Sequence, residues 1–301
     1  MTAELRPRHT LVRDRRIAYV EAGDGPRTAL LIHGYAASWK YWLHTIPALA
    51  RTHRVVAIDL PGFGDSEDPD AHGFTDQLDA IHAFLDAVGI DRCDVVGHSM
   101  GTLVACELAA RHPDRVDRVV LTGGPISSVI GLFRNPLGTL KRHPEVATFI
   151  VEALTAGSPP SPPIRRLITT QRWARWAALR AYVPHPWALD AEDVARILDG
   201  AGPPAAWPTL RQGFRYDERP ALAAVTQPTI VINGARDTIS PPADARAFAA
   251  ANDAVEAVHL IPDVGHIPMI ESPTAFNEHL TRFLASPAVA DRRSRRAGDR
   301  D

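Results

Sequence analysis

A glycine, a serine and a glycine alternate in Gly97-His98-Ser99-Met100-Gly101, directly after the apolar run Cys93 to Val96. That run reads as the end of a buried strand. The residues that follow, Thr102 to Arg111, are small and apolar and read as a helix. Strand, sharp turn and helix form the setting in which Gly-x-Ser-x-Gly carries chemistry. The serine then sits at the apex of a strained turn, with Oγ above the sheet edge and free to attack an acyl carbon. Gly97 and Gly101 are required there because strand and helix pass too close for a Cβ. The Met100 amide lies at a helix N-terminus, where it can stabilise an oxyanion. The competing reading of Ser99 is a structural turn serine, and the rest of the chain has to decide.

A serine nucleophile needs a base, and the base needs an orienting carboxylate. In open α/β sheets both sit on loops at the C-terminal ends of later strands, in the order serine, acid, histidine. Asp237 follows the apolar run Ile230 to Ile232, and His266 follows Val258 to Ile261, so both meet the requirement. Asp263, just before His266, competes with Asp237 for the acid position. His98 adjoins Ser99, but an elbow turns its side chain elsewhere. His33, in His33-Gly34-Tyr35-Ala36-Ala37-Ser38, reads as a hydrogen-bonding residue that shapes its loop. Asp59 and Asp65 read as turn and cap residues. No His-Glu-x-x-His pattern is present, so no metal is expected. Gly62-Phe63-Gly64 has no third, helix-opening glycine, so no dinucleotide cofactor is expected either.

These residues need elements to position them. Thr10 to Val12 and Arg16 to Val20 read as two strands around a polar turn. Thr28 to Ile32, Arg54 to Ile58, Val116 to Leu121, Thr229 to Asn233 and Ala257 to Ile261 read as further strands. Trp39 to Leu49, Thr75 to Val88, Pro242 to Ala251 and Ser272 to Leu284 read as helices. The alternation implies an α/β fold with a mainly parallel central sheet covered by helices on both faces. Between about 125 and 216 the rhythm changes to several short helices rich in Pro and Trp. Ser158 to Pro163 reads as a hinge-like or polyproline linker. Residues 287–301, with Arg292-Arg293-Ser294-Arg295-Arg296, read as a disordered, solvated tail.

Composition narrows the function classes. The chain has 301 residues, 45% hydrophobic and 23% charged, which is ordinary for a globular protein with one large core. A net charge of −2 offers no field for nucleic acid. No run of eighteen apolar residues exists, so no membrane span is expected. The first eight residues lack an apolar core and do not read as a secretory signal, which makes a cytoplasmic location the default expectation. Cys93 and Cys106 read as buried filler. The expected partner is a small-molecule substrate, and the chain is expected as a monomer or homodimer.

The combination resembles the α/β-hydrolase-fold superfamily, in its serine-nucleophile branch with a helical cap. The matching pieces are His33-Gly34, Asp59-Leu60-Pro61-Gly62-Phe63-Gly64-Asp65-Ser66, Gly97-His98-Ser99-Met100-Gly101, Gly234-Ala235-Arg236-Asp237, and Gly265-His266 with Pro268, Glu271 and Phe276. The resemblance covers residues 10–124 and 217–285. It implies Ser99 as nucleophile, His266 as general base and then acid, and Asp237 as orienter. By position it implies the backbone amides of Tyr35 and Met100 as the oxyanion hole. It also implies a division into hydrolase core at 1–124 and 217–286, with a helical cap at 125–216. Relatives that open epoxides or displace halide carry Asp at the elbow. Serine here implies cleavage of an ester or related acyl bond through an acyl-enzyme. A C–C bond hydrolase acting on a diketone-like substrate, a cofactor-free haloperoxidase or perhydrolase, and a non-catalytic ligand receptor are the alternatives. In the cap, Trp173, Trp176 and Trp187 are the candidates for substrate contact, with Trp207, Phe133, Phe149, Tyr182 and Phe214 as further aromatics. Arg165, Arg166, Arg172, Arg175 and Arg180 read as one solvated helix face rather than an anion clamp.

Overall fold

The computed structural model describes residues 5–68, 74–213 and 215–286. Phe214 and the tail at 287–301 lie outside them. Eight strands form one sheet: β1 (Arg8–Val12), β2 (Arg15–Ala22), β3 (Arg27–Ile32), β4 (His53–Ile58), β5 (Cys93–His98), β6 (Val116–Thr122), β7 (Thr229–Gly234) and β8 (Val255–Ile261). Their order across the sheet is β1-β2-β4-β3-β5-β6-β7-β8. β1 and β2 pair antiparallel, as do β2 and β4; β3 to β8 are joined in parallel.

The parallel strands are apolar on both faces because helices cover both. Side chains alternate across the sheet. Val95, Leu121 and Val231 face one core with Phe84 and Leu108. Val96, Val120 and Ile232 face the other with Phe276 and Leu280. The registers Ile32↔Gly97, His98↔Thr122 and Leu121↔Val231 bring the C-terminal ends of β3, β5, β6 and β7 to one edge. The loops that carry the candidate chemistry emerge there.

Two local expectations are corrected. Trp39 to Leu49 is not one helix. It is a 3₁₀ turn, Trp39–Trp42, followed by a single α-turn, Ile46–Leu49. Pro47, which has no amide hydrogen, is accommodated in the first turn of that second piece and would break a continuous helix. The five arginines Arg165, Arg166, Arg172, Arg175 and Arg180 do not share one helix, because the chain breaks at Gln171 between Pro162–Thr170 and Arg172–Leu179. Arg165 pairs with Asp199, and buried Arg175 donates to the Thr169 and Leu189 carbonyls.

Among the described residues no strand lies between β6 and β7; that segment is helical. Its first helices pack Val129, Val146 and Phe149 against Leu103 and Ile239. Its later ones add Leu179, Val194 and Ile197 to the second sheet face. Ser158–Ser161 is irregular, and Pro162 opens the next helix at its first position. Among the described residues no helix is long and apolar enough to cross a membrane.

Candidate active site

Ser99 closes the turn between β5 and the helix Met100–Arg111, with φ 51° and ψ −119°. That is a left-handed backbone for a residue with a side chain, and it persists only where neighbours over-determine it. The constraints are visible. The Ser99 amide donates to the Thr122 carbonyl at 2.9 Å, and its carbonyl accepts from Thr102 Oγ1 at 2.6 Å. A Cβ on Gly97 would fall 2.3 Å from the Gly101 carbonyl oxygen, and one on Gly101 would fall 2.5 Å from that of Ile32. Only glycine at both positions lets strand and helix meet this closely.

His266 and Asp237 arrive from the loops after β8 and β7. His266 Nε2 lies 2.9 Å from Ser99 Oγ, and Nδ1 lies 2.9 Å from Asp237 Oδ2. An ionised carboxylate only accepts, so Nδ1 carries the proton and Nε2 accepts from the serine hydroxyl. Asp237 is held in turn: Oδ1 accepts the Ile239 and Ser240 amides, each at 2.9 Å. Burial pulls the His266 imidazole down, but the Asp237 charge and hydrogen bond, with Glu152 and Glu271, raise it above its ordinary value. Asp263 takes no part. It is 72% exposed on its side chain and pairs with Arg236 at 3.5 Å.

The loop bearing His266 is fixed from several directions. Glu271 accepts the Gly265 amide at 2.9 Å and the Ile267 amide at 3.0 Å, gripping the residues on either side of the histidine. The His266 amide donates to the Tyr182 carbonyl, and its carbonyl accepts from His98 Nε2, both at 2.9 Å. His98 therefore ties the loop to β5, a role the sequence reading did not assign. Asn233 is a second such residue: its Nδ2 donates to the Gly124 carbonyl at 2.9 Å, joining the loop after β6 to the end of β7.

The loop after β3 lies against the serine. A Cβ on Gly34 would fall 2.9 Å from Ser99 Cβ. His33 Nδ1 donates to the Gly34 carbonyl at 2.7 Å while Nε2 accepts the Leu60 amide at 2.9 Å. Burial pulls this imidazole down to about 4, so it stays neutral and keeps both bonds. Ala36 has φ 48°, a sharp bend beside Tyr35. Among the described residues the Tyr35 amide has no acceptor. Met100 is the first residue of its helix, so its amide has no intrahelical partner. Asp59 is a turn residue, accepting the Trp39 and Asp65 amides at 2.7 and 2.9 Å.

Ser99 and His266 open into a cavity of about 310 Å³. Its lining is mostly apolar, with Ile164, Ile168, Leu179 and Ile197 from the helical segment, together with Tyr35, Tyr41 and Tyr182. A smaller hollow of about 40 Å³ adjoins Ser99 and Met100 and is lined by Ile130, Phe133 and Phe149. Trp173, Trp176 and Trp187 line neither. They are 64%, 44% and 43% exposed and lie on the outside of their helices. The reading that gave them substrate contact is corrected: Tyr182, Phe133 and Phe149 hold the interior positions. Glu152 also lines the larger cavity and was missed. Its signal was available, as the single charge in the helix Thr148–Ala156. Among the described residues no group of His, Cys, Asp and Glu is arranged to hold a metal ion.

Comparison with known proteins agrees with this architecture. The chain is 30% identical over 279 residues to the dihydrolipoyllysine-residue acetyltransferase component of an acetoin cleaving system from Cupriavidus necator, a match that covers 89% of this chain and 66% of that protein. It is 28% identical over 291 residues to a 2-hydroxy-6-oxononadienedioate/2-hydroxy-6-oxononatrienedioate hydrolase from Paraburkholderia xenovorans, covering 90% of this chain and 91% of the relative. Among solved structures it superposes on the enol-lactonase of Burkholderia xenovorans with a TM-score of 0.68 at 22% identity, over 93% of this chain and all of the other. Residues 29–273 match the alpha/beta hydrolase fold, and the chain belongs to that family.

Proposed function

We propose that the chain is a serine hydrolase that cleaves an ester or related acyl bond of a small, largely apolar substrate. The observation that carries this reading is the continuous hydrogen-bonded line from Ser99 Oγ through His266 to Asp237, with Oγ facing an apolar cavity. In the first half-reaction His266 Nε2 takes the Ser99 proton as Oγ bonds to the acyl carbon. The carbonyl oxygen becomes an oxyanion, received by the Tyr35 and Met100 amides. Collapse breaks the bond to the leaving group, which takes the proton from His266 and departs. Water then gives a proton to His266, attacks the acyl-enzyme, and the acid leaves as Ser99 regains its hydrogen. Asp237 holds the imidazole tautomer and stabilises the transient imidazolium throughout. A carboxylate nucleophile, as used on epoxides, is replaced here by Ser99, which favours acyl carbons over sp³ ones.

The Paraburkholderia relative supports a second reading, hydrolysis of a carbon–carbon bond beside a carbonyl. By its name that relative acts on dioates. The cavity here has no Lys or Arg among its described lining residues and does contain Glu152, which favours the ester reading. The test is a fluorophosphonate probe with mass spectrometry, alongside a panel of aryl esters and a diketone. Labelling at Ser99, lost in Ser99→Ala, together with ester turnover supports the proposal. An adduct elsewhere with Ser99 untouched removes it, and diketone cleavage without ester turnover replaces it with the second reading.

A further inference from the structure

Glu152 has no explained partner. It projects from the helix Thr148–Ala156, whose Phe149 and Ala153 are buried against Val146, Leu103 and Ile239 and fix the rotation of the helix. That rotation puts the carboxyl in the wall of the same cavity as Ser99 and His266. Among the described residues its carboxylate has neither a hydrogen bond nor an ion pair. No Lys or Arg is among the described residues that line the cavity, so none of them neutralises it. Three tyrosines, Tyr35, Tyr41 and Tyr182, line the same cavity, and the Glu152 charge adds to burial in raising all three phenols. A carboxylate among tyrosine faces in an apolar pocket is the chemistry that holds an ammonium group, through charge-assisted contact and cation–π attraction.

Resting on the serine-hydrolase reading above, we propose that Glu152 is a specificity-determining residue: it selects acyl substrates that carry a protonated or quaternary amine near the scissile carbonyl, and rejects those that carry a carboxylate. Burial raises the Glu152 carboxyl to about 7, with the His266 and Asp237 charges as opposing smaller influences. A bound cation favours its ionised form. A bound anion has to wait for the protonated form or meet a like charge. The titratable groups around it are His266, Asp237, His98, Tyr35, Tyr41 and Tyr182. His98 is pulled well down by burial and the phenols stay protonated, so Glu152, His266 and, behind His266, Glu271 are the groups that change charge near neutrality.

The test uses three nitrophenyl esters of equal length, ending in trimethylammonium, tert-butyl or carboxylate, against the full chain. The expected kcat/KM ratio of cationic to anionic ester is about 10- to 100-fold, the range of one charge-assisted contact. Glu152→Gln should bring that ratio close to one, and Glu152→Lys should invert it. Because both esters share His266, its titration cancels in the ratio; in the wild type the ratio should fall as pH drops through about 7 and should stay flat in Glu152→Gln. An unchanged ratio in Glu152→Gln, or no charge preference in the wild type, overturns the inference while leaving ester hydrolysis standing. Should no ester turn over and Ser99 resist phosphonylation, the hydrolase reading fails. Calorimetric binding of the same three esters to Ser99→Ala then decides on Glu152 alone: a cation preference abolished by Glu152→Gln supports it, and equal binding of all three overturns it.

Discussion

β5 carries a buried ionic cluster at its beginning and the candidate nucleophile just past its end, and the two ends behave differently. At the start, Asp94 is fully buried and pairs with Arg27 and with Arg118 at 3.5 Å, with His53 3.6 Å away. Arg118 also donates to the Ser286 carbonyl and lies 6.0 Å from the Phe283 ring centroid. Every strong charge there meets an opposite charge or an acceptor, and the cluster closes on itself. At the other end the chain from Asp237 to His266 to Ser99 stops at a hydroxyl that faces a cavity, and Glu152 lines that cavity with no ion-pair partner among the described residues. Both regions bury charge in the same sheet. One meets its strong charges within the fold, and the other leaves a hydroxyl and a carboxylate facing a cavity. That difference, more than burial or charge, marks a site.

Substitutions should separate the two ends cleanly. Ser99→Ala should lose hydrolysis on the order of 10⁶-fold, as removal of the nucleophile does in a serine protease, with an unchanged denaturation midpoint. Asp237→Asn should lose on the order of 10⁴-fold in kcat, because the amide no longer favours the right tautomer or stabilises the imidazolium. Asp263→Asn, at an exposed position paired with Arg236, should stay within twofold on the same assay. The reverse ranking of these two carboxylates would reassign the acid. At the other end of the sheet, Asp94→Ala leaves Arg118 buried without its counter-charge and should cost about 3–5 kcal/mol of stability. Chemical denaturation measures it, and kcat of the folded protein should not change. A drop in kcat with unaltered stability would mean that the two ends are coupled and that the contrast drawn between them is wrong.

Much of this was legible in the sequence because it depends on local rules. Gly97 and Gly101 announced a close crossing before any distance was known. Asp237 and His266 could be picked out because each follows an apolar run that had to be a strand. The failures are non-local. Trp173, Trp176 and Trp187 are large and aromatic, but which face of a helix turns inward depends on what it packs against, and these helices bury Ala174, Leu179 and Pro186 instead. His98 was set aside as a base, correctly placed but without a role, since its partner is a backbone carbonyl 168 positions away. Glu152 went unnoticed for a related reason. A single carboxylate on a helix is usually solvated, and only the assembled cavity shows that this one is not.

The finest test concerns Glu271, which was visible in the sequence only as part of a motif. It grips the Gly265 and Ile267 amides, and its charge is one of those that raise His266. In the proposed mechanism His266 must be neutral to act as base, so kcat/KM for a neutral ester should rise with pH, and the midpoint of that rise should lie above the ordinary imidazole value of about 6.5. Burial lifts the Glu271 carboxyl to about 7, so it gains charge across the same interval in which His266 loses its own. The wild-type limb should therefore be broader than a single-proton curve. Glu271→Gln removes the charge and keeps one acceptor oxygen. Without the negative charge the imidazolium is less favoured, so the His266 value falls, and the limb should move to lower pH and sharpen. A residue that served only to brace the loop would lower kcat and leave the midpoint where it was. Profiles of kcat/KM for the two proteins from about pH 5 to 9 distinguish these outcomes: a shift toward acid shows Glu271 acting on the base through its charge, and an unmoved midpoint reduces it to a clamp.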